Sequence, residues 1–339
     1  MAVHAFGDRQ LIRGCLLFFL LIAIIVAGYT FYALSVPYKG FGEETFIDIP
    51  VGTSTQQMAD MLQRGGVIRS RWHFMLARAM NGSAKLQAGE YRFSEPETVT
   101  QVFSRIARGD VFAYSLTVPE GNNMFDIAAA IEQLGFMKST DFVKAASSPK
   151  LIKDLDPKAP SLEGYLFPAT YKLTRHMTPE QIAKEMTDRF RRAWSEIGAG
   201  RTDTHEIVTL ASLIEKETAK AKDRPMVASV YRNRLDRGMA LDCDPTTIYA
   251  AILEKRYRGV IHRSDLDSMN LYNTYKHAGL PPGPIASPGA ESLKAAISPA
   301  SSEYLYFVAK PDGSGEHIFS TNLADHSVAV QAYRRGTQN

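Results

Sequence analysis

From Gly14 to Val36 the chain runs 23 residues without a charged side chain, and most of them are Leu, Ile, Phe, Val or Ala. At 1.5 Å rise per residue such a stretch spans roughly 34 Å as a helix, enough to cross a hydrocarbon layer of about 30 Å. Nothing else in the chain restricts its fold so strongly, because one end must then sit in a different solvent from the rest. Arg9 and Arg13 stand directly before the run. Basic residues beside a first span are retained on the cytoplasmic side, so residues 1–13 are expected in the cytoplasm, 14–36 in the membrane, and everything after as an exported part. A cleaved signal peptide would need a shorter apolar core and a small-residue cleavage site, which Ser35-Val-Pro-Tyr38 does not supply. Gly14-Cys15 looks like the end of a lipoprotein signal, but the cysteine precedes the apolar run instead of following it. A single-pass anchor is the expectation.

What remains is long enough for two domains with full cores. The formal charge is only +3 over 339 residues, which argues against a nucleic-acid partner. Two cysteines, Cys15 and Cys243, make neither a disulfide framework nor a metal quartet. Beyond a Pro- and Gly-containing linker at 37–44, residues 45–109 read as strand, helix, helix, strand, helix: 45–50, 56–64, 71–80, 86–93 and 98–107. The larger remainder mixes strands (112–118, 304–308, 317–320) with helices at 124–134, 140–146, 179–195, 206–218, 226–235, after Asp244-Pro245, from 289, and at 322–334. Residues 162–171, with Gly164 and Pro168 among aromatics, read as a shaped loop. The fold class is α+β.

The helix at 206–218 carries the chemistry. Its apolar positions 207, 208, 210, 211, 213 and 214 recur with helical spacing and lead into Glu215 and Glu217. Two residues apart is about 200° around a helix, so the two acids cannot share a pocket. Glu217 projects beside Leu210, Leu213 and Ile214, where lost solvation would favour a protonated acid able to donate. A solvated helix end explains the same pattern, and periodicity does not choose between them. Other chemistries fare worse. Ser314 lacks the Gly-x-Ser-x-Gly elbow, no His-Glu-x-x-His is present, and no Gly-rich phosphate loop occurs. Asp242-x-Asp244 suits a turn before Pro245 better than a cation, and Cys243 has no histidine near it in sequence. No metal and no cofactor are expected. The residues left are Glu217, Glu163, Tyr165, Asn233, Asp244, Tyr272, Asn273 and Tyr275, the mixture of acids, amides and aromatic faces that sugar sites use.

Six segments in order, Leu162–Tyr171, Ala211–Thr218, Asp244–Tyr249, Tyr272–Tyr275, Gly279–Ala286 and Tyr304–Val308, resemble the YceG-like family of bacterial endolytic murein transglycosylases over roughly residues 45–335. The resemblance implies an enzyme that cuts nascent peptidoglycan inside the strand, between N-acetylmuramic acid and N-acetylglucosamine, leaving a 1,6-anhydro end. Residues 45–111 resemble a LysM-like α+β domain, with a small α+β spacer holding the next domain off the membrane as the alternative, and the family resemblance implies a catalytic domain at 112–335. The family's catalytic acid is the second of its Glu-Lys-Glu motif, here Glu217; Glu163, Asn233 and Asp244 are assigned to substrate or to positioning. Where the family usually has a hydroxyl residue before Asp-Pro, this chain has Cys243, which alters one local hydrogen bond. The implied partners are glycan strands, the cytoplasmic membrane and peptidoglycan synthases, with the catalytic part on the periplasmic or extracellular side. An inactive anchored glycan-binding scaffold and a secreted polysaccharide hydrolase are the alternatives.

Overall fold

The computed structural model describes residues 4–336, with side chains from 13 onward. The first three residues of the expected cytoplasmic segment therefore lie outside the described residues. The described chain is mixed α+β and divides into two compact units, residues up to Tyr114 with Thr174–His176, and Ser115–Leu173 with the rest from Met177.

The first unit begins with α1 (His4–Ser35), ten residues longer at its start than the uncharged run. Among the described residues one helical segment, Arg13–Ser35, is long and apolar enough to cross a membrane. The unit continues β1 (Thr45–Ile49), α2 (Thr55–Arg64), α3 (Arg71–Met80), β2 (Gly89–Phe93) and α4 (Val99–Arg108). β1 and β2 pair antiparallel with Ile47 opposite Tyr91, so their alternate side chains fall on one face. That face, Ile47, Ile49, Tyr91 and Phe93, packs with Met58, Leu62, Phe74, Val102, Phe103 and Ile106 from the helices. Local chemistry sets the helix ends. Ser54 with Gln57 and Thr98 with Gln101 form capping boxes, and α4 stops at Gly109 in the left-handed region (φ 70°).

The second unit runs β3 (Tyr114–Val118), α5 (Met124–Gln133), α6 (Ser139–Ala146), β4 (Ala169–Leu173), α7 (Pro179–Ile197), α8 (Thr204–Glu217), α9 (Arg224–Asp236), α10 (Asp244–Leu253), α11 (Arg263–Leu266), α12 (Ala290–Ile297), β5 (Tyr306–Ala309), β6 (His317–Ser320) and α13 (Leu323–Gly336). β3 pairs with β4, and β5 with β6. Three expectations change. The stretch read as a loop to Tyr171 becomes strand at Ala169, because β3 offers it a partner that sequence alone does not show. The apolar composition of Tyr304–Val308 predicts a buried strand, but β5 is half-buried throughout. α8 is not amphipathic: every residue from Ile207 to Ile214 is buried, Thr209 and Ser212 included, so it is the central helix of the unit. Ser212 makes this tolerable, since its hydroxyl donates to the Thr209 carbonyl (2.7 Å) and accepts from the Ile285 N–H (3.1 Å).

Gly164 shows how tightly the surrounding loops close on α8. Its φ is +83°, and a Cβ there would stand 2.4 Å from Pro284 Cβ and 3.1 Å from Val208 Cγ1. Gly164→Ala is expected to cost at least about 2 kcal/mol, from left-handed strain plus the clash with a rigid proline ring. Urea unfolding of the two proteins measures it, and an unchanged midpoint would refute the close approach.

Candidate active site

α8 ends at Glu217, and this end opens on a cavity of about 340 Å³ lined by Glu217, Tyr231, Arg234, Leu241, Asp242, Asp244, Tyr275, Tyr306, Phe307, Leu323 and His326. Glu217 keeps a partly exposed edge toward the cavity, while its carboxyl packs against Cys243 and Tyr231. Burial pushes its pKa above the usual carboxylate range and the nearby Asp244 charge adds to that; Cys243, Tyr231 and His317 pull the other way without reversing it. The carbonyl end of a helix also carries partial negative charge, which acts in the same direction as burial. The site thus holds a carboxyl whose protonated form is favoured by burial, at the rim of a polar, aromatic-walled space.

Its surroundings are built by side-chain bonds to backbone. Asp242 adopts φ +50°, a conformation Asp tolerates, and turns the chain so that Cys243 faces Glu217 and Asp244 begins α10. Thr274 Oγ1 accepts from the Cys243 N–H (3.0 Å) and bonds Thr246 Oγ1 (2.9 Å), tying this turn to the 272–275 segment. From there Tyr275 donates its hydroxyl to Asp244 Oδ1 (2.8 Å). Arg234 braces the opposite wall, donating to the carbonyls of Leu305 (2.7 Å) and Leu241 (3.1 Å) and to Asp242 Oδ2 (3.1 Å). Burial, with the Glu217 charge second, holds the Cys243 thiol well up and therefore protonated. The Tyr231 phenol is buried beside Glu217 and Cys243, with its hydroxyl turned toward both and favouring the ionised form of Glu217.

Of the eight residues singled out from sequence, the structure brings Glu217, Asp244 and Tyr275 to this cavity. It does not bring the others. Glu163 is sealed in the core, where its carboxylate accepts from the Met124 N–H at the start of α5 (3.0 Å) and from the Tyr249 hydroxyl (3.0 Å). It is a buried helix cap, and burial pushes its pKa up to about 7. Tyr165 is fully buried, donating to Asp156 and set edge-on to Phe190 (5.0 Å). Asn273 is fully buried too; it donates to the carbonyls of Leu266 and Ser268 and accepts from the Tyr275 N–H, so it shapes the segment that presents Tyr275. Asn233 donates to the carbonyls of Ser302 and Tyr304 (2.9 Å each). Tyr272 is half-buried and packs on Tyr249 (5.0 Å). None of these five lines the cavity: the polar groups of Glu163, Tyr165, Asn233 and Asn273 bond protein, and Tyr272 packs outside it.

Glu215 stands on the other side of α8, held by Arg224 (2.9 Å) and by the Gly289 N–H (2.9 Å), which matches the expected separation of the two acids. Sequence reasoning missed Tyr231, Arg234, Tyr306 and His326. For the first two a signal existed. Positions 231 and 234 share a face of α9 at i, i+3, while Asn233 points about 100° away from Arg234. For Tyr306 and His326, stacked at 5.1 Å, none did, since only tertiary folding places α13 here.

A buried protonatable acid in a tyrosine-lined cavity, with a second carboxylate held by Tyr275, defines a class: a mixed α+β protein equipped for acid–base chemistry on a polar substrate. The YceG-like family model matches residues 47–332, and the chain belongs to that family. An endolytic murein transglycosylase of Bacillus subtilis (strain 168) is 33% identical over 333 residues, covering 91% of each chain. One of Streptococcus pneumoniae (strain D39) is 29% identical over 312 residues, 83% of this chain and 56% of that longer one. A crystal structure of a yceG-like protein from Listeria monocytogenes aligns at TM-score 0.55 and 32% identity, covering 85% of this chain and 99% of that one.

Proposed function

We propose that this protein is a membrane-anchored peptidoglycan lytic transglycosylase that cleaves glycan strands internally, with Glu217 as its acid–base residue. The observation that carries the reading is the Glu217 carboxyl, its pKa raised by burial yet one side open to a cavity of about 340 Å³. The relative from Bacillus subtilis bears the name of this activity at 33% identity.

The chemistry needs one acid. Glu217 donates its proton to the glycosidic oxygen as the bond to the muramic C1 breaks. The C6 hydroxyl of the same sugar then bonds to C1 and returns its proton to Glu217, closing a 1,6-anhydro ring with no water consumed. A retaining hydrolase would need a second carboxylate about 5 Å away as nucleophile. Asp244 is the candidate, but it accepts from Tyr275; we assign Asp244 and Tyr275 to orienting the sugar. Glycan strands incubated with the full-length protein and analysed by mass spectrometry should carry anhydro ends. Reducing ends would indicate hydrolysis, and uncut strands the scaffold reading.

Because the protonated form acts first, activity should fall as pH rises through the Glu217 pKa. The Tyr231 phenol favours the ionised carboxylate, so Tyr231→Phe should raise that pKa and move the alkaline limb of kcat/KM to higher pH. A shift to lower pH would contradict the role given to Tyr231.

In this reading residues 14–36 cross the membrane with 1–13 cytoplasmic, 112–335 form the catalytic domain outside, and 45–111 act as a LysM-like glycan contact. The β1-α2-α3-β2 order supports the last assignment. Peptidoglycan synthases are the partners it would meet.

A further inference from the structure

The membrane-proximal unit holds a feature that glycan cleavage does not use. Between Asp60 and Glu90 the chain has five basic side chains, Arg64, Arg69, Arg71, Arg78 and Lys85, and no acidic one. Most of this stretch is α3 and its flanks, and α3 packs against the apolar helix itself. Tyr29 Oη and His73 Nε2 are hydrogen-bonded at 3.1 Å, with their rings edge to face at 5.8 Å. Leu34 is buried in the unit's core, and its carbonyl accepts from Thr100 Oγ1 (3.3 Å). The end of α1 is therefore fixed to α3 and α4, not joined to them by a free tether.

That contact sets a depth. Tyr29 lies six residues before the end of α1, about 9 Å along the axis, so a helix that fills the bilayer holds His73 near the boundary between acyl chains and headgroups. Beside His73, Trp72 is 66% exposed and Arg71 lies over its ring at 4.8 Å. Arg69 lies over Tyr38 (4.7 Å) and Tyr32 (5.7 Å). An exposed tryptophan and tyrosines with guanidinium groups around them, next to a membrane span, is the composition of an interfacial belt. Arg69, and Arg71 with its exposed partner Asp60 (3.3 Å), stand at that level, where a cation near anionic headgroups gains roughly 1 kcal/mol.

We propose that the first turn of α3 lies in the anionic phospholipid surface around the anchor, with Trp72 inserted at the headgroup boundary and Arg69 and Arg71 against lipid phosphates. This rests on the reading of α1 as a membrane anchor. The occupant is lipid, since the surface is continuous with the span and complementary in charge to an anionic leaflet.

Full-length protein reconstituted in phosphatidylcholine vesicles, with and without phosphatidylglycerol, tests it using lipid brominated near the headgroup end of its acyl chains. The chain has two tryptophans, and Trp194 is packed in the core against Phe190. The brominated lipid should therefore remove about half of the emission, and phosphatidylglycerol should increase the loss. Trp72→Phe should show no loss. Equal emission in brominated and plain vesicles would overturn the proposal, and quenching indifferent to phosphatidylglycerol would overturn its anionic part. A carbonate wash separates the two readings. Protein retained but unquenched leaves the anchor standing and removes only the surface contact; protein washed off removes both.

Discussion

Glu217→Gln is expected to abolish strand cleavage, by at least about a thousandfold in kcat/KM, while leaving the fold intact. The amide is isosteric with the acid and neutral like its protonated form, so the contacts with Cys243 and Tyr231 remain available. What it cannot do is give up a proton to the glycosidic oxygen, and no other acid in the cavity is positioned to substitute. Asp242 pairs with Arg234 and Asp244 accepts from Tyr275. Anhydro-muropeptide release counted by mass spectrometry, with circular dichroism to check folding, is the measurement. Cleavage within tenfold of the parent would remove Glu217 from the mechanism.

The second large effect is on stability. Glu163→Ala strips the partner from two buried donors, the Met124 N–H and the Tyr249 hydroxyl, and leaves a void in a sealed core. Each orphaned donor costs about 1–3 kcal/mol, so a loss of about 3 kcal/mol or more is expected, a large share of a typical domain's stability. Glu163 also leaves a pH signature. Its folded pKa of about 7 stands above the ordinary 4.5, so the folded state holds this proton more tightly than the unfolded one. The stabilisation is complete below pH 4.5, declines as pH rises toward 7, and is gone above it. A shift of this size is worth about 3 kcal/mol across the window. Glu163→Gln, which keeps an acceptor but cannot ionise, should be less pH-sensitive than the parent by that amount between pH 5 and 8 in thermal melts. Parallel pH profiles would show that the carboxylate is ionised in the fold throughout.

These two glutamates mark how far the residues could be read in advance. Both stood out as acids among apolar and aromatic neighbours, and both are buried with raised pKa. One faces a cavity and the other a helix N-terminus. That difference depends on what α5 and α10 bring up to residue 163, some 40 and 86 positions away, which no local pattern records. Asn273 is a similar case. It sits two residues from the cavity tyrosine, yet its amide is spent on holding the 265–275 backbone in place.

Sequence by itself determined what depends on near neighbours. The 23-residue apolar run, the capped helices α2, α3, α4 and α7, the mixed α+β class and the opposite sides taken by Glu215 and Glu217 all follow from spacing along a helix or strand. Only the tertiary structure decided that α8 is buried on every side, that Ala169–Leu173 is a strand, and that Tyr231, Tyr306 and His326 stand around Glu217. Burial, strand pairing and the pKa of a carboxyl are properties of whatever packs against a residue, and here the packing partners come from segments up to a hundred residues distant. That Glu215 and Glu217 part company was visible in the order of residues; the burial that raises the pKa of Glu217 was not.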